Sequence, residues 1–355
     1  MAESILKSTN FNMSKKILIT GGAGFIAHHV IDYIMATTDW EICTLDRLDY
    51  SGNLNRLHEV LEKYSVTERK RVRVVFHDLK AELNPLIKNF VAKPDIILHL
   101  AASSHVDRSI THPLEFIYDN IIGTANLLEY ARHNDRLERF LYFGTDEIFG
   151  VAPPGVAYRE RDRYNSTNPY SASKASAEEL CVAYENTYKL PVYITHTMNV
   201  FGERQTPEKF IPKCIRKIML GEKIYIHSDS TRTIPGSRFY IHAGDVAEAV
   251  VFLLKDVDQT KFVSDYGWAK CPKFNIVGRE EIDNLTLANM IAQVQGKPLD
   301  YEMVDFHSSR PGHDLRYALS GDYMRELGWE PRVNFSDRIS QVVEWYISNT
   351  RWLDL

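Results

Sequence analysis

The segment Gly144-Thr145-Asp146-Glu147-Ile148-Phe149-Gly150 places a hydroxyl and two adjacent carboxylates together: a hydrogen-bond donor, an acid and a base. It follows the apolar run Phe140-Leu141-Tyr142-Phe143, which reads as a buried strand. Ligands of an open parallel sheet bind just beyond the carboxyl ends of its strands, so Thr145, Asp146 and Glu147 stand where chemistry happens. The same residue types also cap strand-to-loop turns, and the segment alone does not separate the two roles. Like charges side by side push one carboxyl pKa upward, giving an acid beside a base. A second constellation is Asn168-Pro169-Tyr170-Ser171-Ala172-Ser173-Lys174. Pro169 suits the first turn of a helix. Tyr170 and Lys174, four apart, project from one helix face. A free phenol titrates near ~10, too high for a base at neutral pH. A nearby ammonium favours the phenolate and lowers that value, which makes the pair a candidate proton shuttle. Tyr-Lys pairs at this spacing also occur as plain surface stacks.

These residues need a scaffold, and the chain preceding them supplies one. Lys16 to Thr20 reads as a short buried strand, followed by Gly21-Gly22-Ala23-Gly24-Phe25-Ile26-Ala27 and a helical pattern through Val30, Ile31 and Ile34. Gly21 permits a tight turn, Gly24 lets backbone N–H groups approach a pyrophosphate, and Ala27 is small enough for helix-on-strand packing. The helix N-terminus holds the phosphate charge. A glycine pattern between a strand and a helix is a strong signal for a dinucleotide. The second strand, Glu41 to Leu45, ends at Asp46, about 20 residues past the glycines, where an acid binds a ribose 2′-hydroxyl. A carboxylate there repels a 2′-phosphate and favours NAD over NADP; Arg47 beside it works the other way. Asp78, after a third strand Val72 to Phe76, could accept from an adenine amino group or cap a helix. Asp95 to Leu100 forms a fourth strand. It runs into Ala101-Ala102-Ser103-Ser104, small residues that let a cofactor lie on the backbone. A helix over 113–133 precedes the organising strand. A sixth strand follows at Val192 to His196.

Strands alternating with helices predict an α/β doubly wound parallel sheet of the Rossmann type, with a smaller α/β substrate-binding domain. The expected division is 15–197 for the NAD-binding domain, with 240–265 returning to it. The substrate domain takes 198–239 and 266–347, and residues 1–14 form a flexible leader. The polar loop 151–167 reads as a flap. Arg238, Arg310, Asn199 and Lys209 in the second half suggest a diphosphate site when combined, since an Arg fork matches phosphate oxygens.

Composition bounds the function. The chain has 355 residues, 44% hydrophobic and 25% charged, with net charge −5, ordinary for a large globular core. That balance argues against a nucleic-acid partner. Four scattered cysteines without CxxC pairing read as reduced thiols of a cytoplasmic protein. No apolar run reaches membrane-spanning length, and no metal-ligand spacing is present.

Taken together, GGAGFIA, LDRLDYSGN, LAASSHVDRSI, GTDEIFG, YSASK, NVFGERQTPEKFIP and SRPGHDLRYAL resemble the nucleoside-diphosphate-glucose 4,6-dehydratases of the extended short-chain dehydrogenase/reductase group. The resemblance runs from about 15 to 347. Its most specific piece is Thr145-Asp146-Glu147, because related epimerases and decarboxylases lack the Asp-Glu pair. It implies that Tyr170 takes the proton of the 4-hydroxyl while NAD takes hydride from carbon 4, with Thr145 and Lys174 supporting the phenolate. Glu147 then removes the carbon 5 proton, protonated Asp146 donates to the departing 6-hydroxyl, and the hydride returns to carbon 6. The implied cofactor contacts are Gly21, Gly24, Phe25, Ile26, Asp46, Arg47, Ser51, Gly52, Asp78, Leu79, Leu100, Ala101, Ala102 and Ser104, together with Tyr170 and Lys174. The implied substrate contacts are Ser104, Thr145, Asn199, Lys209, Phe210, Arg238, Arg310 and His313. Helices 113–133 and 171–188 resemble those that pair into a dimeric four-helix bundle.

Three departures stand out. Ala27 replaces the commoner Gly, Gly144 stands where Ser is usual, and Ile224 to Gly236 is a few residues longer than usual, where the base would bind. The wording of LDRLDYSGN and NVFGERQTPEKFIPK leans toward UDP-glucose over dTDP-glucose. The alternatives are an epimerase or decarboxylase on the same scaffold, against which Asp146 argues, and a non-catalytic NAD-binding regulator.

Overall fold

The short apolar runs pair into a seven-stranded, all-parallel sheet in the computed structural model, which describes residues 14–257, 271–305 and 315–355. Its strands include β1 (Lys16–Thr20), β2 (Glu41–Asp46), β3 (Val72–Phe76), β4 (Ile96–His99), β5 (Arg139–Thr145) and β6 (Val192–Thr197). Short pairs follow: β7 (Val200–Phe201) with β10 (Ile241–His242), β8 (Ile224–Ser228) with β13 (Tyr301–Asp305), and β9 (Ser237–Arg238) with β12 (Ile282–Asp283). β11 (Lys273–Ile276) completes the main sheet, whose order is β11-β6-β5-β4-β1-β2-β3. The chain reverses direction between β1 and β4, and that switch point opens a crevice at the carboxyl ends of the strands.

The central strands are buried on both faces, as a parallel sheet requires. Ile17, Ile19, Ile96 and Leu98 face the helices Phe25–Thr37 and Ala243–Lys255. Leu18, Ile97, Phe140 and Tyr142 face Leu127, Leu128, Ala177 and Cys181 on the opposite side. Period-two alternation thus feeds two separate cores from one set of strands. A further core joins the helices Phe210–Leu220, Asn284–Gln295 and Phe335–Ser348 through Ile215, Ile226, Leu287, Ile291, Val342 and Tyr346.

Three expectations need correction. Lys273–Ile276 had been assigned to the second domain, yet it pairs with β6 as an edge of the main sheet. Parallel pairing supplies backbone hydrogen bonds to the outer side of β6, and local periodicity does not say which sheet a strand joins. The helix over 113–133 is interrupted: Pro113–Phe116 is α-helical, Ile117–Ile122 is a π-helical turn, and Gly123–Arg132 resumes the α-helix. The loop 151–167 is pinned rather than free. Tyr158 exchanges backbone hydrogen bonds with Ala318 and Ser320 at 2.9 and 2.8 Å, and Arg316 donates to the carbonyls of Ala152, Pro153 and Val156. Residues 1–13, 258–270 and 306–314 lie outside the described residues, and with them most of the expected leader, Arg310 and His313.

Candidate active site

The glycine loop turns at Gly21, whose φ of +71° is the left-handed region that glycine adopts without strain. The Gly24 amide donates to the Gly21 carbonyl at 2.9 Å. A Cβ on Gly24 would lie 2.8 Å from that carbonyl oxygen, so only glycine closes this turn. Gly24 caps the helix Phe25–Thr37 with no side chain on its orphan amides and no acid in the first turn. This end is therefore open to an anion. A cavity of about 100 Å³ sits against it, lined by Gly21, Gly24, Asp46, Arg47, Ser51, Gly52, Asp78, Leu79, Leu100, Ala101 and Ala102. Phe25 and Ile26 follow the turn without lining the cavity.

Asp46 ends β2 with its carboxylate accepting from the amides of Ala23 at 2.9 Å and Leu48 at 2.7 Å, which fixes its direction. Arg47 forks onto Asp119 at 2.6 and 2.7 Å and reaches Asp49 at 2.8 Å. Its guanidinium is thus committed to carboxylates and is not offered to a 2′-phosphate. Asp78 accepts from the Lys80 amide at 3.0 Å in a turn that starts no helix, so the cap alternative does not hold. The donor set fits a dinucleotide whose ribose 2′-position is a hydroxyl.

β5 delivers Thr145 to the carboxyl end of the sheet, and a 3₁₀ turn, Asp146–Phe149, holds the two carboxylates. The Thr145 hydroxyl donates to Asp146 Oδ1 at 3.1 Å and is hydrogen-bonded to the Tyr170 phenol. Asp146 Oδ2 is buried with no hydrogen-bond partner among the described residues. Burial raises the Asp146 carboxyl to about 6, against the pull of Arg238 and the Thr145 bond. Burial and the Asp146 charge raise Glu147 to about 7, opposed by Asn168, Arg238 and Lys209. Both carboxyls therefore titrate near neutrality, as an acid–base pair needs. Asn168 is a residue the sequence reading passed over. Its side chain caps the helix Pro169–Tyr188 by accepting from the Ser171 amide at 2.8 Å, and its Nδ2 donates to Glu147 Oε2 at 3.3 Å.

Tyr170 and Lys174 share a buried helix face, but the expected electrostatics do not hold. The Lys174 ammonium donates to the Phe143 carbonyl at 2.7 Å and lies 4.3 Å from the Tyr142 ring centre. No hydrogen bond joins it to Tyr170 among the described residues. Burial, Glu147 and Asp146 push the Tyr170 phenol upward, while Thr145 lowers it. Burial pulls Lys174 down to about 8. Spacing of i, i+4 brings one opposing charge, and desolvation is the larger effect.

Asn120, in the π-helical turn, was also missed. Its amide donates to the Ser103 carbonyl at 3.0 Å and to Ser173 Oγ at 2.8 Å, and its oxygen accepts from the Ser103 amide at 2.8 Å. It ties the small-residue loop after β4 to the helix of Tyr170. A π turn beside a site was the available structural signal, and nothing in the sequence spelled it out.

A second cavity of about 700 Å³ adjoins this turn, lined by Ser104, Glu147, Asn199, Lys209, Phe210 and Arg238 among others. Glu147 faces it, whereas Asp146 lies behind. Tyr225, His227, Asn284 and Tyr317 also line it, though sequence had not marked them. Arg238 is held by the Ser237 and Leu315 carbonyls, both at 2.6 Å, with its guanidinium 4.6 Å from the Tyr317 ring centre.

Residues 18–342 match the family model described as GDP-mannose 4,6 dehydratase. The chain belongs to this nucleotide-sugar 4,6-dehydratase family of extended short-chain dehydrogenase/reductases. It is 35% identical to the dTDP-glucose 4,6-dehydratase of Salmonella typhimurium over 96% of this chain and 94% of that protein. It is also 35% identical to a trifunctional UDP-glucose 4,6-dehydratase of Arabidopsis thaliana, covering 95% of this chain and 48% of that protein. The crystal structure of the dTDP-glucose 4,6-dehydratase DesIV from Streptomyces venezuelae, with NAD bound, superposes with a TM-score of 0.81 at 31% identity. The superposition covers 95% of this chain and 98% of that one. The chain is a hydro-lyase with NAD as its cofactor, which the crevice at Gly24 and Asp46 fits. Among the described residues no helix is long and apolar enough to cross a membrane.

Proposed function

We propose that the chain dehydrates a pyrimidine nucleoside-diphosphate glucose to its 4-keto-6-deoxy sugar. The observation that carries this is the Asp146-Glu147 pair at the end of β5, Asp146 buried and Glu147 half-buried at the cavity wall, with both carboxyls raised toward neutrality and Thr145 linking them to Tyr170. Bound NAD supplies a hydride acceptor at carbon 4 and a donor at carbon 6, so it is regenerated in each turnover. The chain's own residues move the protons. Tyr170 takes the proton of the 4-hydroxyl, steadied by Thr145. Oxidation acidifies carbon 5, and Glu147, held by Asn168 and facing the cavity, removes that proton. Asp146 returns a proton to the oxygen that leaves carbon 6 as water. Lys209 and Arg238 line the cavity with the positive charge a diphosphate needs. Arg310 and His313 are assigned to the same end of the substrate by resemblance alone. An epimerase would need no second carboxylate here.

The relatives do not support the uridine preference read from the sequence: those of Salmonella and Streptomyces are named for the thymidine substrate, and the Arabidopsis one for the uridine substrate. Incubating the purified chain with UDP-glucose, dTDP-glucose and GDP-mannose, and reading product masses, tests both levels. Loss of one water from a pyrimidine sugar is expected. A mass-neutral product means epimerisation and overturns the proposal. Substrate deuterated at carbon 4 should give product deuterated at carbon 6 within the same molecule.

The proposal includes a homodimer through the helices 113–133 and 171–188. Leu114, Ile117, Tyr118 and Ile122 are exposed along the first of them, more apolar surface than a solvated helix face carries. Sedimentation should show a dimer that Leu114→Glu with Tyr118→Glu converts to monomer.

A further inference from the structure

One turn beyond Lys174 on the same helix sits a carboxylate that this chemistry does not use. Glu178 is 0% exposed, four residues past Lys174 and eight past Tyr170. Its Oε1 accepts from the Tyr164 phenol and lies 2.8 Å from Lys273 Nζ, which itself donates to the Tyr164 hydroxyl. His196 Nε2, also fully buried, is 3.1 and 3.2 Å from the two carboxylate oxygens. Asn275 Nδ2 donates to the carbonyls of Tyr158 at 3.1 Å and Ser320 at 3.0 Å, so it is Oδ1 that faces His196 Nδ1 at 2.9 Å. Both ring nitrogens therefore meet acceptors. One buried carboxylate is thus enclosed by an imidazole, an ammonium and a phenol, an arrangement that survives burial only when its hydrogen bonds are complete.

Gly144 belongs to this cluster. A Cβ there would lie 2.4 Å from the Thr195 carbonyl oxygen and 3.5 Å from Glu178 Oε2. The strand therefore runs directly over the carboxylate, one residue before Thr145, and the departure at 144 has a physical reason.

We propose that Glu178, enclosed by His196, Lys273 and Tyr164, is a positioning residue for the dehydration: it fixes the helix of Tyr170 and Lys174, and the Tyr164–Asn168 segment, against the strand end that carries Thr145 and Glu147. This rests on the roles assigned above to Tyr170 and Glu147. Two arms leave the cluster. Along the helix, the Glu178 charge acts on Lys174. That ammonium faces the Phe143 carbonyl and Tyr142 ring from β5, His99 from β4, and Cys181 and Glu178 from its own helix. Along the loop, Tyr164 leads to Asn165, whose amide donates to the Ile148 carbonyl at 2.8 Å, and then to Asn168 on Glu147 at 3.3 Å.

The test compares Glu178→Gln and Tyr164→Phe with the wild-type holoenzyme, each checked for folding by circular dichroism. Glu178→Gln is expected to lower kcat by on the order of 10², with KM unchanged, since small displacements of reacting groups cost that much. It should also move the alkaline limb of the kcat profile to lower pH, because Lys174 loses the carboxylate that opposes its burial; a purely structural defect lowers kcat equally at every pH. Tyr164→Phe leaves His196 and Lys273 against Glu178, while it removes the phenol shared by Glu178 and Lys273 and with it the loop arm. It should slow solvent exchange at carbon 5 roughly tenfold while leaving carbon 4 oxidation intact. Should Glu178→Gln not fold, Tyr164→Phe decides alone. Folded variants within twofold of wild-type turnover overturn the positioning role. A wild-type chain that dehydrates no nucleoside-diphosphate sugar overturns instead the function beneath it.

Discussion

The carboxylate turn and the tyrosine helix meet at Thr145, and desolvation raises the proton affinity of Asp146, Glu147 and Tyr170 alike, with opposite consequences. Desolvation raises Asp146 to about 6 and Glu147 to about 7, so both carboxyls can exchange a proton near neutral pH. The same desolvation, with the two carboxylate charges added, holds the proton on Tyr170, which must give it up for the first step. A low-dielectric site favours the neutral form of every group in it. The elimination half is thus poised in the chain by itself. The oxidation half waits for positive charge or for a proton on the neighbouring carboxylates.

Tyr170→Phe breaks the comparison hardest. It removes the base for carbon 4 oxidation and should reduce turnover by on the order of 10²–10⁴. NAD binding, followed by fluorescence titration, should be retained because the cradle at Gly24 and Asp46 is untouched. Turnover near the wild-type value would remove Tyr170 from the mechanism.

Asp146→Asn and Glu147→Gln sharpen it from the other side. Each should stall after oxidation, so that near-ultraviolet absorbance of reduced cofactor accumulates under single turnover while product forms roughly 10²-fold more slowly. Glu147→Gln should also abolish carbon 5 exchange with solvent. The comparison adds a sign. Glu147 is the largest charge raising Tyr170, so the Gln variant should shift the pH dependence of the oxidation step to lower pH. An unmoved oxidation profile means that the two halves are not coupled.

How much of this the sequence could say follows from contact distance along the chain. The glycine turn, Asp46, the acid pair and the Tyr170–Lys174 face are each decided within about one strand, turn or helix, where short-range rules are strong. The cluster of Glu178, His196, Lys273 and Asn275 joins residues on three separate elements. It exists only because β11 lies beside β6 and β6 beside β5, an order no local pattern gives. Asn120 escaped because the π turn that aims it shifts the helical register by one residue. The sign of the Tyr170 shift escaped for a different reason. Its i, i+4 partner was legible, but the burial that outweighs that partner was not.

The same contrast predicts how stability depends on pH. Glu147 is raised from an ordinary value of 4.5 to about 7, so its protonated form is favoured by folding. A carboxyl with a raised folded pKa contributes stability that is complete below its unfolded pKa and is lost as pH rises through the folded one. Glu178 is the reverse case. His196 and Lys273 depress it to about 2 despite burial, so its contribution is present above 4.5 and lost only as pH falls through about 2. Between about pH 5 and pH 8 the cofactor-free chain should therefore lose stability from the carboxylate turn and none from the cluster beneath it. Removing the Glu147 charge should raise Tm by a few degrees at the alkaline end of that window, with the gain shrinking toward the acid end. Removing the Glu178 charge leaves the buried Lys273 ammonium without its carboxylate and should cost about 3–5 kcal/mol at both ends alike. Calorimetric scans of Glu147→Gln and Glu178→Gln at the two pH values would separate these behaviours. A Glu147→Gln gain that does not grow with pH would mean that the turn is solvated, and the difference between the two carboxylates would vanish with it.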